Sequence, residues 1–596
     1  MLKALLAQVL PKARKAGLPS ATAEATPLER VRALVAAKDW DAAARLAEEI
    51  LAAQPEEIEA ILLLAKTFRA RGMLEQAQQA YRRALVLAPG RADAWLDLGV
   101  CHHLAGDDFW ARVYFRFANA LDPESADVWN EFGVVDIALG NFEKAEEALE
   151  NALARNPALP EAWNNLGLVL ARRGDLANAR RHFLRATFLR PDYYTAHCNA
   201  GLAAKGLEQL EDAERALRRA VEIDPAPYTA WLSLSAVLQD EGRLDEAQAA
   251  AEAALERSPG NADVLAALST LWLRRADAAR AQALAAQALV LDAKHADARL
   301  ALAHAQLATG NYAEGWVNYE ARLRSTGMTA RHLALPAWRG GPLKGKSILV
   351  WGEQGLGDEI MFASCLPDLL ASGASCILDC SRRLRPLLER SFPGVTFLEE
   401  QQAPIDATLP IGSLPSLFRT TREAFPRHQG YLRADAVRKA YWKEKLSSLG
   451  AGPKVGIAWR GGLMRTGRAQ RSLELEELLP ILRTPGVHWV NLQHDDSAPE
   501  LASWDEALAD IDETAALIDG LDLVLTVCST VVHLAGALGR RVWVLTPSGP
   551  AWRYRLQGEE MPWYPSVVLY RQSTPGDWAA VVQRVAADLR TECSVG

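Results

Sequence analysis

Proline and small residues recur along the first half of the chain with a period of 34 residues. Proline opens seven successive units, at Pro55, Pro89, Pro123, Pro157, Pro191, Pro225 and Pro259. An eighth unit begins at Ala293. Ten residues after each opening only glycine, alanine or serine occurs, and seventeen after it glycine occurs in six of the eight units. A small residue lets two helices approach closely, glycine permits a left-handed turn, and proline ends a helix. The pattern therefore predicts eight helix–turn–helix units over residues 55–326.

This period and these positions are typical of tetratricopeptide repeats. Residues 1–54 are predicted to form an N-terminal helical cap that includes a degenerate repeat at 21–54. Such arrays usually hold a protein or peptide in a concave groove; a scaffold without a specific partner, or one used for self-association, is the alternative. Asparagine amides donate and accept hydrogen bonds and could hold an extended acceptor backbone, unless they are merely exposed. The acceptor-binding candidates are Asn130, Asn164, Asn165 and Asn199.

From Ser347 onward short β-branched runs alternate with amphipathic segments. Strands are predicted over 347–351, 375–379, 395–398, 454–459, 487–492, 522–526 and 541–546. Helices are predicted over 357–371, 382–391, 434–449, 473–483, 513–519, 529–538 and 577–590. This alternation indicates parallel sheets with crossover helices, arranged as an N-terminal lobe at 346–435 and a C-terminal lobe at 436–596.

Residues 327–345 are interpreted as a linker between the repeats and the lobes. The stretch 340-GGPLKGKS-347 satisfies the phosphate-loop expression. A phosphate loop must follow a strand and open a helix, because the helix N-terminus supplies the amides. Here the stretch precedes a strand, so we expect no phosphate loop.

Composition narrows the class of protein without identifying it. A formal net charge of −8 gives no reason to expect nucleic-acid binding. Apolar runs are too short for a membrane span, and we see no secretion signal at the N-terminus. Seven scattered cysteines fit a reducing compartment, so the expected location is the cytoplasm.

Three stretches carry a family resemblance: 343-LKGKSILVWGEQGLGDEIMFASCLP-367, 455-VGIAWRGG-462 and 522-DLVLTVCSTVVHLAGALGRRVWVL-545. They are similar to the bacterial heptosyltransferase-like glycosyltransferases. Behind tetratricopeptide repeats, the layout resembles the FlmG-type flagellin O-glycosyltransferases, which are implicated in adding nonulosonic sugars such as pseudaminic or legionaminic acid from CMP-linked donors.

The resemblance implies an α-solenoid followed by an α/β, GT-B-like two-lobed transferase whose final helix crosses back over the first lobe. It also implies a metal-independent, inverting reaction with flagellin as the protein partner, a sugar nucleotide as donor and no further cofactor. Two departures put heptose and an ADP donor in doubt. Val527-Cys528-Ser529-Thr530 stands where heptosyltransferases have an aspartate-threonine-glycine turn, and the loop after Trp459 is longer and richer in arginine.

Inverting glycosyl transfer needs a base for the acceptor hydroxyl. Asp358 is the candidate, although a first-turn aspartate can simply cap its helix. Glu359 is the alternative base. Gly355 and Gly357 are expected to let this turn approach a substrate closely.

The departing phosphate needs positive or hydrogen-bond-donating groups. Ser529 and Thr530 open a helix whose amides can bind an anion, and His533 lies one turn further on. In the loop that carries Arg460, Arg465, Arg468 and Arg471, the first and last arginines are the preferred anion ligands, unless the loop is merely solvated. Gln493 is expected near the nucleotide base. Adjacent residues in His494-Asp495-Asp496 point apart, so we expect no metal site.

Two other functions remain open from the sequence. The chain could be a repeat-based adaptor or chaperone with a non-catalytic transferase-like domain. It could also be a glycosyltransferase that acts on lipopolysaccharide or another glycan, in which case the eight repeats would have no evident purpose.

Overall fold

The computed structural model describes residues 25–324, 335–338, 340–400, 404–462, 467–494 and 496–595. The chain divides into two compact units, with the boundary between Ala203 and Ala204. The first unit is helical, with helices at Pro27–Ala36, Trp40–Ala53, Ile58–Ala70, Leu74–Leu87, Ala92–Leu104, Asp108–Leu121, Ala126–Ala138, Phe142–Arg155, Pro160–Arg172 and Leu176–Leu189. Tyr194–Gly206 contains the boundary. Within the described ranges no helix combines the length and apolar character needed to cross a bilayer.

Each repeat is held by contacts that its recurrent residues make. The indole nitrogen of Trp95 donates to the Pro89 carbonyl at 2.9 Å, and three further repeats carry the same bond between tryptophan and opening proline. A Cβ on Gly133 would lie 2.6 Å from Leu149, so only glycine lets these helices pack so closely. Ser235 occupies the same position in a later repeat, where its hydroxyl donates to the Ala247 carbonyl at 2.7 Å.

The turn between the two helices of a repeat is left-handed even where glycine is missing. The six turn glycines have φ between 74° and 89°. Lys38, Glu208 and Ala276 take the same place with φ of 59°, 59° and 63°. The turn at Lys38 joins two helices inside the predicted degenerate repeat at 21–54.

The second unit begins with the later repeats. Their helices are Leu210–Ile223, Tyr228–Asp240, Leu244–Arg257, Ala262–Arg274, Ala278–Leu291, Ala296–Thr309 and Tyr312–Tyr319, followed by a 3-10 turn at Glu320–Leu323. Every predicted repeat therefore has its two helices, and the second helix of the last repeat is shorter than the others.

The first lobe contains a parallel sheet with strand order β3-β2-β1-β4. The strands are β1 Ser347–Trp351, β2 Ser375–Asp379, β3 Val395–Phe397 and β4 Ala407–Pro410. The helices are Leu356–Ala363, Leu366–Ala371, Arg385–Ser391 and Pro415–Phe418. The expected single helix over 357–371 is thus broken near Ser364. Of the predicted linker, residues 327–334 and 339 lie outside the described ranges, and Trp338 donates its backbone N–H to the Thr408 carbonyl of β4.

The second lobe contains a six-stranded sheet with order β6-β5-β7-β8-β10-β9, in which only β9 runs antiparallel to its neighbour. The strands are β5 Lys454–Ala458, β6 His488–Asn491, β7 Leu523–Val527, β8 Val542–Thr546, β9 Glu560–Met561 and β10 Tyr564–Arg571. The helices are Ala436–Ser447, Arg468–Arg471, Leu479–Leu482, Asp505–Ala509, Ile511–Asp519, Thr530–Ala537 and Trp578–Val595.

The final helix does not cross to the first lobe as the resemblance implied. Val581, Val585 and Leu589 are buried in the same apolar cluster as Ile457 and Leu525 of the second sheet. The helix therefore covers its own lobe, because its apolar face matches that sheet.

One apolar core joins the last repeats to both lobes. Trp316 of the last repeat packs edge-on against Trp552 of the second lobe, with ring centroids 5.3 Å apart, and its indole donates to the Arg419 carbonyl at 2.8 Å. Phe362 of the first lobe and Trp563 of the second lie in the same cluster. The last repeats are therefore built into the lobes by burial of aromatic surface.

Candidate functional site

A cavity of about 760 Å³ lies inside the second unit, where the last repeats meet both lobes. Its walls come from the repeat helices between Thr270 and Arg322, the glycine turn at 353–358, and the second-lobe segments near 470, 528–533 and 547–554. That volume lies in the usual range of small-molecule binding pockets.

Asp358 lines this cavity, and Glu359 does not. Asp358 forms an ion pair with Arg553, Oδ1 to Nη2, at 2.6 Å, and both side chains are 18% exposed. The carboxylate of Glu359 is buried and accepts the Ser381 backbone N–H at 2.9 Å within the first lobe. Of these two carboxylates only Asp358 faces the cavity, whereas Glu359 stabilises the first lobe.

The glycine turn approaches the second lobe. A Cβ on Gly357 would lie 2.9 Å from the His533 ring and 3.5 Å from the Thr530 hydroxyl oxygen. Gly355, the N-cap of helix Leu356–Ala363, is exposed and lines the cavity. Gly357 thus lets the turn pack closely against the second lobe; it also lines the cavity, so its expected close approach to a substrate remains a prediction.

Ser529, Thr530 and His533 all line the cavity. The Ser529 hydroxyl caps its own helix by accepting the Val531 N–H at 3.3 Å, while Thr530 is exposed. His533 is buried, and its Nδ1 lies 3.1 Å from the Tyr564 hydroxyl. Burial lowers the pKa of His533 well below its usual value, and Arg553 and Arg471 lower it further, so the ring is neutral at pH 7.

Of the two preferred loop arginines, only Arg471 reaches the cavity. Its Nε donates to the Gly461 carbonyl at 2.9 Å. Arg460 instead pairs with Glu474 at 2.6 Å and Asp496 at 3.1 Å. Arg465 lies outside the described residues.

Gln493 lies outside the cavity lining and stabilises the start of the arginine-rich loop. Its side-chain oxygen accepts the backbone N–H groups of Trp459 at 3.1 Å and Arg460 at 2.9 Å. Gln493 is buried, so these bonds fix the loop where it leaves β5.

Several lining residues carry no sequence motif. Arg553 is the middle residue of the 3-10 turn Trp552–Tyr554, and no repeat or strand pattern marks it. Burial acts to lower its pKa, but Asp358 and neighbouring tyrosines raise it above its usual value. Arg274 and His304 come from the repeats, and only the folded structure brings them to the cavity.

The last repeat is joined to the glycine turn by a buried ion pair. Arg322 donates to Glu353 at 2.7 Å, with side-chain exposures of 2% and 0%. The Tyr319 hydroxyl accepts from the Gln354 amide at 2.9 Å. Glu353 also accepts the Gly412 N–H at 2.8 Å. These bonds position the turn that carries Asp358.

The four candidate asparagines lie in the first unit and bind one another. Asn199 donates to Asn164 and Asn165 donates to Asn130, each at 2.9 Å between successive repeats. Asn130 also donates to Glu131 at 3.1 Å. A peptide would have to compete with these bonds, so binding of an acceptor here remains a prediction.

No cluster of three or more His, Cys, Asp or Glu side chains is arranged for a metal ion within the described ranges. Asp495 of the His494-Asp495-Asp496 run lies outside those ranges. Independence from metal remains a prediction.

The tetratricopeptide repeat family model matches residues 62–108, 130–194 and 198–262. The first half of the chain is therefore a tetratricopeptide solenoid, as its 34-residue period predicts. The matched residues of this family model all lie in the repeats, so the match says nothing about the function of the cavity.

Protein FlbA of Caulobacter vibrioides is 38% identical over 320 residues, which is 48% of this chain and 53% of FlbA. The chain thus spans about half the length of that curated relative. Among solved structures, the Cut9–Hcn1 hetero-tetramer of the APC/C is 18% identical over 41% of this chain and 48% of its own, with a TM-score of 0.38. PilF of Pseudomonas aeruginosa is 22% identical over 35% and 95%, with a TM-score of 0.32.

Proposed function

We propose that the chain is a glycosyltransferase that moves a sugar from a nucleotide donor to a serine or threonine of a protein held by the repeats. The observation that carries the proposal is the position of Asp358. It lines the cavity together with Thr530 and four arginines, of which Arg553 pairs with it at 2.6 Å. A two-lobed α/β arrangement with a carboxylate facing a cationic cavity suits transfer from an anionic leaving group.

In the proposed reaction the acceptor hydroxyl oxygen attacks the anomeric carbon, and the bond from that carbon to the donor phosphate breaks. The hydroxyl proton passes to the Asp358 carboxylate. The nucleotide leaves with the bonding electron pair, and its charge is stabilised by Arg471, Arg553 and the donors of the Thr530 helix. Inversion follows from this single displacement.

Asp358 is paired with Arg553 in this structure. A donor phosphate entering the cavity offers Arg553 a second acceptor with two or more oxygens. Movement of Arg553 toward that phosphate would leave the Asp358 carboxylate available for the acceptor proton. The ion pair therefore fits a site that activates its base when the donor binds.

For the partners, we propose a flagellin-type acceptor and a CMP-linked nonulosonic sugar. Both rest on the resemblance of the repeat-and-lobe layout to flagellin O-glycosyltransferases. The arginines of the cavity are compatible with a sugar that carries a carboxylate.

The test is co-expression of the full chain with flagellin and a CMP-nonulosonic acid pathway, read by the intact mass of the flagellin. We expect a mass increase of one or more sugars, which Asp358→Asn abolishes in a chain that is still folded by circular dichroism. Asp505→Asn is the matched control, since Asp505 is also a first-turn aspartate but is exposed. Unchanged flagellin mass with folded wild-type chain and verified donor would refute the transferase and favour an adaptor.

A further inference from the structure

Arg274 belongs to the seventh tetratricopeptide repeat, yet it lines the cavity beside second-lobe residues. It is the last residue of helix Ala262–Arg274. A Cβ on Gly549 of the second lobe would overlap the Arg274 carbonyl, so the two backbones are in direct contact. The end of this repeat is therefore fixed against the second lobe.

The Arg274 guanidinium is held next to the arginine-rich loop. Its Nη1 donates to the Gln239 carbonyl at 3.0 Å, and the Gln470 amide reaches the same carbonyl at 3.4 Å. Arg471, the next residue after Gln470, lines the cavity as well. Two arginines from distant parts of the sequence are thereby brought to one wall.

The described lining has a surplus of positive charge. Four arginines line the cavity against two carboxylates. Two of these arginines are used in ion pairs, Arg322 with Glu353 and Arg553 with Asp358. The other two lining arginines are Arg274 and Arg471.

The acidic neighbour of Arg274 neutralises it only in part. Asp240 lies 3.7 Å away and also pairs with Lys205 at 3.0 Å. Burial lowers the pKa of Arg274, and Arg471 lowers it further. Two guanidiniums that repel each other in a partly desolvated wall gain stability from a bound anion.

We propose that Arg274 and Arg471 form an oxyanion subsite of the donor, so that the repeat array supplies part of the donor-binding site. The oxyanion is a phosphate or a sugar carboxylate, both of which a guanidinium binds through two parallel hydrogen bonds. This proposal rests on the proposed function for the identity of the ligand, but its binding test does not require transfer. It also means that the lobes without the last repeats lack one side of the site.

The test is calorimetric titration of the full chain with CMP, UDP and N-acetylneuraminic acid, the last being a carboxylate-bearing sugar without phosphate. We expect Arg274→Gln to weaken binding of at least one probe about ten- to a hundredfold, as loss of a charged hydrogen bond does. Arg275→Gln is the matched control, because Arg275 pairs with Asp245 and stacks on Trp272 away from the lining. Its affinities should equal those of the wild type.

The pattern of loss identifies the oxyanion. Weaker binding of CMP and UDP alone indicates the phosphate, and weaker binding of the sugar acid alone indicates the carboxylate. Arg274→Lys keeps the positive charge but cannot form two parallel hydrogen bonds to one oxyanion, so it should recover only part of the affinity that Arg274→Gln loses. Thermal unfolding of each variant shows whether the repeat still packs on the second lobe.

The outcomes separate this proposal from the proposed function. Wild-type affinity in a folded Arg274→Gln variant overturns the subsite and leaves the transferase standing. Loss of affinity without sugar transfer by the wild type supports the subsite and refutes the transferase. No binding of any probe by the wild type refutes both.

Discussion

Replacing Arg322 by methionine tests how the last repeat is joined to the glycine turn. The substitution leaves Glu353 with 0% side-chain exposure and without its guanidinium partner. Breaking a buried ion pair in this way costs about 3–5 kcal/mol. We therefore expect Arg322→Met to destabilise the second unit strongly.

The part of this lost stability that comes from the unpaired Glu353 charge depends on pH. Without Arg322, the buried Glu353 carboxylate can become neutral by taking up a proton. Protonating a carboxylate of usual pKa near 4.3 costs about 3.7 kcal/mol at pH 7 and about 1 kcal/mol at pH 5. Burial already raises the pKa of Glu353 against the opposing effect of Arg322. Without Arg322 the folded chain holds a proton that the unfolded chain releases, so stability falls as pH rises. The destabilisation should grow by about 2.7 kcal/mol between pH 5 and pH 7.

The assay is urea unfolding of the full chain at both pH values, followed by hydrogen–deuterium exchange in peptides that cover 312–323 and 348–363. Arg322→Met with Glu353→Gln should lose the pH dependence and be more stable at pH 7 than Arg322→Met alone. Arg324→Met, at an exposed neighbouring position, is the control. Equal destabilisation at pH 5 and pH 7, with no recovery in the double variant, would refute the reasoning.

Three further predictions concern the second unit. Ala276→Gly relieves a left-handed turn at φ 63° and should stabilise by about 0.5–1 kcal/mol in thermal unfolding; a lower midpoint would contradict this. Burial and then Arg553 lower the pKa of His304 to about 4, so stability falls by up to about 3 kcal/mol as pH drops from 6.5 to 4. His304→Asn should flatten this dependence of stability on pH, and an unchanged dependence would contradict its assignment to His304. Gly549→Ala should cost about 1–3 kcal/mol, because its Cβ would overlap the Arg274 backbone. Gly260→Ala is the control, since a Cβ there meets nothing within 4 Å. Equal unfolding midpoints of the two variants would contradict the prediction.

The repeats were predictable because each recurrent residue acts within its own unit. The tryptophan bonds to a carbonyl six residues earlier, and the small residue faces its partner helix. Local bonds of this kind leave a period in the sequence. The crossing of the final helix was expected from resemblance alone, and the burial of Val585 against the second sheet corrects it.

Strands without a clear flanking pattern were missed. β4 has only four residues and ends in Pro410, and β10 begins with Tyr564 and Pro565, which break the alternation expected of a strand. The run Val567–Tyr570 is the signal that could have found β10.

The site was predictable only where a motif marked it. Asp358 and Thr530 lie in the first turns of helices that follow strands. His533 lies one turn further along, Arg471 ends the short helix after β5, and all four line the cavity. Arg274 and Arg553 depend on contacts between segments that are hundreds of residues apart. No local pattern encodes such contacts, so these two arginines could not be predicted from the sequence.

The central claim is that the cavity shared by the last repeats and the two lobes holds a sugar nucleotide. A crystal structure of the full chain with CMP or UDP bound tests it most directly. The account predicts a nucleotide in this cavity, with phosphate oxygens about 3 Å from the guanidinium of Arg471 or Arg553 and with Asp358 on the sugar side. A nucleotide bound elsewhere, or an empty cavity at saturating nucleotide, would contradict it.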